Sequence, residues 1–388
     1  MLNIAIVNDS AIAIEALRRA ILTIPDYQLL WVAQTGADAI QQSIKQTPDL
    51  ILMDMHMPNL DGVEATRQIM QQAPCPILIV TASISRHSNM VFQAMSHGAL
   101  DVVKTPQLGT GNPDAVQFLL KKVAILSRYS QHKISKHTIP QHNVSQSKPS
   151  QLKSKDNPPK ARHQHSRLDF RSQTQLSTYP ASRQTTVPSG PPFQDHTDNN
   201  NNLPQLVVIG ASTGGPGALK TILSQLPKPF NAAIIVIQHI DEQFTLNLVQ
   251  WLNQFSTLPV ALAQNGDRPE PGKVLVSGGG QHLWMRPNQK LRYTHEPHDY
   301  PYRPSVDVFF NSVAAYWKQP GIALLLTGMG KDGAIGMKHL REAKWHTVAE
   351  SQSSCVVFGM PKAAINLGAA QQALTLTQIP SHLVNLLG

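Results

Sequence analysis

Cysteine is almost missing from this chain of 388 residues, with only Cys75 and Cys355 present. The two lie far apart and make neither a metal-ligand nor a redox spacing, so the expected setting is a reducing, cytoplasmic one. Long apolar runs are missing as well, and no stretch approaches the roughly 18 residues that a membrane span needs. The first residues, Met1-Leu2-Asn3-Ile4-Ala5-Ile6-Val7-Asn8, carry no basic start and turn polar too early for a secretion signal. A soluble protein is expected. Aromatic residues make up only 6% of the chain, and no basic patch interleaves with them as a nucleic-acid reader requires. The formal net charge of +9 does not alter that, because the charge is local. Residues 127–203 hold eleven Lys/Arg against four Asp/Glu, whereas the rest holds 22 against 20. No nucleic-acid partner is expected.

The same segment divides the chain. Between about Ser127 and Leu203 it consists of Ser, Gln, His, Lys, Pro, Asn and Thr, with few apolar residues and no periodicity. Such a composition cannot bury enough surface to offset the entropy of ordering, so a disordered linker is expected. Its r.m.s. span would be about 50 Å, long enough to cross a domain without fixing a docking geometry. The expected organisation is therefore a domain over 1–126, a linker over 127–203 and a second domain over 204–388.

On both sides of the linker, short apolar strands alternate with amphipathic helices. Strands read at Asn3–Val7, Leu29–Ala33, Leu50–Met53, Ile77–Val80 and Asp101–Val103, with a last helix over Val116–Leu126. After the linker they read near 206–210, 232–237, 274–277, 322–326 and 346–349. Alternation of this kind makes open parallel sheets covered by helices on both faces. The fold class is α/β, with two doubly wound parallel-sheet domains. Ligands of such sheets meet the carboxyl ends of the strands, so the residues there carry the functional reading.

In the first domain those ends are Asn8-Asp9, Asp54, Thr81 and Lys104. An acidic pair can bind Mg²⁺ through oxygen ligands, as phosphoryl transfer to a carboxylate requires. A lysine and a hydroxyl beside it would hold the phosphoryl oxygens. Each residue alone has a plainer reading: an Asp at a strand end is often a turn or helix cap, and a lone lysine is usually solvated.

In the second domain, Leu206-Val207-Val208-Ile209-Gly210-Ala211-Ser212-Thr213-Gly214 runs from a strand into a glycine-dense turn of the G-x-S-x-G type. This turn projects a serine hydroxyl above the sheet. His239 follows the next strand, and Asp332 lies in Gly328-Met329-Gly330-Lys331-Asp332-Gly333 after the strand Ile322–Leu326. Nucleophile, base and orienting acid thus stand at three strand ends, the constellation of a serine hydrolase. Their order, Ser, His, Asp, differs from the Ser, Asp, His of α/β-hydrolases. A dinucleotide site fits less well, since Ser212 replaces the middle glycine of G-x-G-x-x-G and Gln238-His239 stands where a ribose-binding acid belongs.

Two resemblances follow from these motifs. Val7-Asn8-Asp9-Ser10, Leu52–Gly62, Thr81-Ala82 and Lys104-Thr105-Pro106 resemble the receiver domains of two-component response regulators over residues 3 to about 125. The resemblance implies a flavodoxin-like fold and Asp54 as phosphoacceptor. It also implies Mg²⁺ on Asp9, Asp54 and the His56 carbonyl, with Thr81 and Lys104 as switch residues. Asn8 stands where receivers usually carry a second acid; an amide orients a metal-bound water but adds no charge.

Gly210–Pro216, Gln238-His239, Pro304-Ser305-Val306-Asp307, Leu326–Gly333 and Ser354–Pro361 resemble the catalytic domain of chemotaxis protein-glutamate methylesterases, from about 204 to the end. This second resemblance implies a Rossmann-like fold with Ser212 as nucleophile, His239 as general base and Asp332 as its orienting acid. Backbone N–H groups near Thr213 and Met329 are the candidates for the oxyanion hole. Together the resemblances imply demethylation of glutamate γ-methyl esters, and deamidation of glutamines, on methyl-accepting chemoreceptors. A chemotaxis histidine kinase would be the phosphodonor, and the hydrolase itself would need no cofactor. The alternatives are a non-catalytic receiver-linked scaffold or phosphate sink, and an esterase for a small ester.

Overall fold

A computed structural model describes residues 1–82, 84–106, 113–134, 203–300 and 302–387. Five βα units open the chain: β1 (Leu2–Val7), α1 (Ala11–Ile21), β2 (Tyr27–Ala33), α2 (Gly36–Lys45), β3 (Leu50–Met53), α3 (Gly62–Gln72), β4 (Ile77–Thr81), α4 (Ile84–Ser96), β5 (Asp101–Lys104) and α5 (Pro113–Ile134). The five strands form one parallel sheet in the order β2-β1-β3-β4-β5. Its central strands are buried along their whole length, which is why they read as continuous apolar runs. The helices start on side-chain caps. Ser10, Thr35 and Asp61 each accept a backbone N–H of the first turn of α1, α2 and α3.

The second sheet draws on β6 (Gln205–Ala211), α6 (Gly215–Leu223), β7 (Ala232–Gln238), α7 (Glu242–Phe255), β8 (Val260–Leu262) and β9 (Val274–Val276). A hairpin of β10 (His282–Met285) and β11 (Leu291–Thr294) interrupts the alternation. It then resumes with α8 (Val306–Tyr316), β12 (Ile322–Leu325), α9 (Ala334–Glu342), β13 (His346–Glu350), α10 (Met360–Asn366), β14 (Gln372–Leu374) and α11 (Ile379–Leu387). Seven parallel strands run in the order β14-β13-β12-β6-β7-β9-β8, and β10 and β11 pair antiparallel apart from them. The doubly wound α/β architecture expected for both domains is what the chain adopts.

Three features differ from the sequence pattern. The edge strands β8 and β14 have three residues each, too few for a periodicity to register. The β10–β11 hairpin is likewise too short to stand out. Helix α5 continues to Ile134, eight residues beyond Leu126, where the sequence pattern ends it. Propagating an existing helix costs little once it is nucleated, so it outlasts the apolar pattern. The rest of the expected linker, 135–202, lies outside the described residues.

The two sheets belong to one compact unit. Phe92 of α4 stacks on Trp251 of α7 with ring centroids 5.4 Å apart, both rings buried. Lys220 of α6 reaches Ser96 of α4, Nζ to Oγ 3.3 Å. Just before β5, the Leu100 carbonyl accepts the Gly214 N–H at 3.2 Å. The second domain is therefore in contact with α4 and with the segment leading into β5 of the first.

Candidate active site and its covering surface

Ser212 owes its place to a forced backbone reversal after β6. Gly214, the cap before α6, adopts φ +80°, and a Cβ there would lie 2.6 Å from Val356 Cβ, so only glycine fits. The Ser212 N–H donates to the Thr327 carbonyl (3.0 Å), and the Ser212 carbonyl accepts the Gly215 N–H (2.7 Å). Strand order reverses sense at β6, with β7 on one side and β12 on the other, the place where doubly wound sheets open a crevice. His239 follows β7 and Asp332 lies beyond β12, so the topology brings the three residues together.

His239 Nε2 and Asp332 Oδ2 are 2.7 Å apart. The ring's other nitrogen, Nδ1, is buried and has no hydrogen-bond partner, the Ser212 hydroxyl included. Tyr302 lies flat on the imidazole, ring centroids 4.5 Å apart and planes inclined by 12°. The ring is thus held by a carboxylate at one edge and an aromatic face above it.

Asp332 is fixed by more than histidine. Its Oδ1 accepts the Ser305 hydroxyl (2.8 Å) and the Asp307 N–H (3.0 Å), and its Oδ2 accepts the Val306 N–H (2.7 Å). The carboxylate therefore caps the N-terminus of α8, where unpaired N–H groups and the helix dipole favour negative charge. Burial acts to raise its pKa, but the His239 hydrogen bond and charge, with the Asp307 and Val306 N–H groups, hold it below the ordinary carboxylate value. The neighbouring Asp307 goes the other way, raised first by burial and then by the charge of Asp332. His282, fully buried, accepts the Ser305 N–H on Nδ1 (3.1 Å) and lies 3.1 Å from the Pro297 carbonyl through Nε2. The sequence resemblance puts Arg303–Asp307 on the same face as the triad and gives it no catalytic step. Serine before an apolar run signals a helix start, but not what that helix end holds.

A cleft of about 410 Å³ opens above this group. Ser212, His239, Tyr302, Arg303 and Met329 line it from the second sheet, and Asp101, Lys104, Phe118 and Lys122 line it from the first. Lys122 is the closest intruder. Its Nζ, buried, is ion-paired to Asp101 Oδ2 and donates to Thr213 Oγ1 at 2.8 Å, one residue from the serine.

The expected receiver residues stand at the ends of β1, β3, β4 and β5. Thr81 and Lys104 are paired in register, Thr81 buried and Lys104 exposed. Asp9 and His56 are exposed and Asp54 is half-buried, with Oδ1 accepting the Met55 N–H at 2.7 Å. Asn8 is buried and its Oδ1 accepts the Ser10 N–H at 2.8 Å, so it serves the turn into α1. Among the described residues no group of three or more His, Cys, Asp or Glu is gathered as a metal cage. Two carboxylates and a carbonyl, all oxygen, suit Mg²⁺, which keeps several of its own waters.

Family models match in two places: CheB methylesterase over residues 207–383 and response regulator receiver domain over residues 4–108. The chain is 42% identical over 388 residues to protein-glutamate methylesterase/protein-glutamine glutaminase 3 of Pseudomonas aeruginosa, covering 98% of each chain. It is 40% identical to protein-glutamate methylesterase/protein-glutamine glutaminase 4 of Burkholderia thailandensis, covering 99% of this chain and 97% of that one. Among solved structures, the CheB methylesterase catalytic domain of Thermotoga maritima is 38% identical, with a TM-score of 0.46, covering 47% of this chain and 99% of that one. Identity of this extent, along nearly the whole of both partners, shows that the chain belongs to the protein-glutamate methylesterase/protein-glutamine glutaminase family, with a response-regulator receiver domain in front of the methylesterase domain.

Proposed function

We propose that the domain over 204–388 hydrolyses glutamate γ-methyl esters on methyl-accepting chemoreceptors with Ser212, His239 and Asp332, under control of the receiver over 1–126 and across the linker 127–203. The observation that carries this reading is the His239–Asp332 bond at 2.7 Å, with Nδ1 left unpartnered and with His239 and Ser212 lining the same cleft. Asp332 accepts a hydrogen bond from Nε2–H and so keeps the lone pair on Nδ1. The Ser212 oxygen attacks the ester carbonyl as Nδ1 takes its proton. The Thr213 and Met329 N–H groups receive the oxyanion; among the described residues neither donates a hydrogen bond. Methanol departs with the proton from Nδ1, leaving an acyl-serine. Water, activated by the same nitrogen, releases the receptor glutamate. A glutamine side chain follows the same course with ammonia as leaving group.

Asp54 would take the phosphoryl group from a chemotaxis histidine kinase. Mg²⁺ held by Asp9, Asp54 and the His56 carbonyl would supply charge neutralisation for that transfer. Thr81 and Lys104 would then follow the phosphoryl oxygens. Lys104 also lines the cleft of Ser212, and Asp101 on the same strand grips Lys122. Displacing β5 would therefore withdraw Lys122 from Thr213. The chain would work in the cytoplasm on membrane receptors without entering the membrane; among the described residues no helix is long and apolar enough to cross one.

The test is release of labelled methanol from methylated receptor membranes, with and without acetyl phosphate. Turnover is expected in the wild type, stimulated by the phosphodonor, absent in Ser212→Ala and unstimulated in Asp54→Asn. Turnover surviving in Ser212→Ala would sink the triad. No release from any receptor preparation would favour the scaffold reading.

A further inference from the structure

A fully buried carboxylate stands outside the triad on the same edge of the second sheet. Glu350 closes β13, and the β12–β13 ladder ends one residue earlier, at Leu325 and Ala349. Where β13 turns away, the side chain supplies an acceptor in place of the backbone. Glu350 Oε2 accepts the Thr327 N–H (2.8 Å), and Oε1 accepts the Ser354 hydroxyl (2.9 Å).

Thr327 is the residue through which the nucleophile turn is tied down. Its carbonyl accepts the Ser212 N–H (3.0 Å), and its hydroxyl donates to the Thr213 carbonyl (2.9 Å) and accepts the Val357 N–H (2.8 Å). The next residue, Gly328, passes so close that a Cβ there would lie 2.8 Å from Ser212 Cβ. Met329, which carries one proposed oxyanion donor, follows directly. The serine and both oxyanion donors thus hang on segments joined at Thr327. Thr327 is itself held from behind by Glu350.

We propose that Glu350 is a positioning residue for the nucleophile and the oxyanion hole, acting through Thr327. The inference rests on the triad reading above. A carboxylate with no more than a space-filling role would gain nothing from its burial, which raises its pKa against the pull of the Thr327 and Ser354 donors. Replacing it by an apolar residue leaves the Thr327 N–H buried and unpaired, so the loop shifts to find an acceptor. Misplacing reacting groups by about 1 Å costs on the order of 100-fold in rate. An amide at 350 still accepts the Thr327 N–H, while the Ser354 hydroxyl turns toward the Ser351 carbonyl, 3.4 Å away.

The experiment uses the full chain with saturating acetyl phosphate. It measures kcat and KM for methanol release and the rate of Ser212 labelling by a fluorophosphonate, with thermal melting as the folding control. Glu350→Leu is expected to lower kcat and the labelling rate about 10- to 100-fold with KM unchanged. Glu350→Gln is expected to recover most of the loss. A folded Glu350→Leu protein with wild-type kcat and labelling overturns the proposal, as does a rise in KM alone. If Glu350→Leu fails to fold, Thr327→Val decides. It keeps the backbone donor to Glu350 and removes the hydroxyl's hold on Thr213, and wild-type kcat in that variant overturns the route. Ser212→Ala separates the two ideas. Turnover persisting there fails the triad, whereas its loss beside an unimpaired Glu350→Leu fails only this inference.

Discussion

Two parallel sheets in one chain present acids at the same kind of strand end and treat them in opposite ways. Around the first sheet, Asp9 is exposed and Asp54 half-buried, with Asn8 in place of a further acid. Around the second, Asp332 is buried and accepts four hydrogen bonds, three of them from the start of α8 and its cap. The contrast suits the chemistry proposed for each. A phosphoacceptor must be reached by a large donor and must carry a new charge, so it stays in water. An orienting acid must never move, so it is walled in and its charge is satisfied in place. The two regions are also coupled physically, since Lys104 of β5 and Lys122 of α5 line the cleft of the second.

Three changes break or sharpen that contrast. The largest effect belongs to the walled-in acid. Asp332→Asn disturbs the tautomer on which Nδ1 depends, and kcat for methanol release should fall by about 10⁴-fold. A loss smaller than tenfold would mean that Asp332 does not orient the base. Next comes the coupling. Lys122→Met removes the ammonium from Thr213, and the basal rate without phosphodonor should rise about tenfold, equal to about 1.4 kcal/mol on the closed state. An unchanged basal rate would show that this contact does not hold the cleft shut.

The smallest effect concerns Asp307, whose pKa is raised to about 7 in the folded chain. A raised carboxyl means that the folded state binds the proton more tightly than the unfolded one. Its contribution to stability is therefore present at low pH and lost as pH rises from about 4 towards 7. Asp307→Asn should flatten that decline, narrowing the loss of stability between pH 5 and pH 7.5. Urea midpoints followed by tryptophan fluorescence read this, because four of the five tryptophans (Trp251, Trp284, Trp317 and Trp345) lie in the second domain. Parallel profiles for the two proteins would exclude Asp307 as the source.

What was legible in the sequence was whatever a strand end or a tight turn marks locally. Ser212 is announced by Gly210 and Gly214, His239 follows an apolar strand at once, and Asp332 lies in the glycine-rich loop after another. The central strands could be read from their continuous burial. What could not be read depends on which distant segment arrives. Lys121 and Lys122 are adjacent in one helix and alike in sequence, yet Lys121 is exposed and Lys122 is buried against Thr213. Ser305 reads as an ordinary helix cap until Asp332 is placed on top of it. Glu350 reads as a polar end to a strand, because its partner Thr327 lies 23 residues away. Strands of three residues carry no pattern to read.

The base proposed at His239 works through the ring nitrogen nearer its stem. Nδ1 sits next to the carbon that joins the imidazole to its stem, whereas Nε2 lies at the far side of the ring. A base presented through Nε2 swings widely with each small turn of the side chain. A base presented through Nδ1 barely moves, and its aim is inherited from the backbone at the end of β7. Accuracy at the proton-transfer step is then a property of the strand, and softening β7 should cost rate before it costs binding.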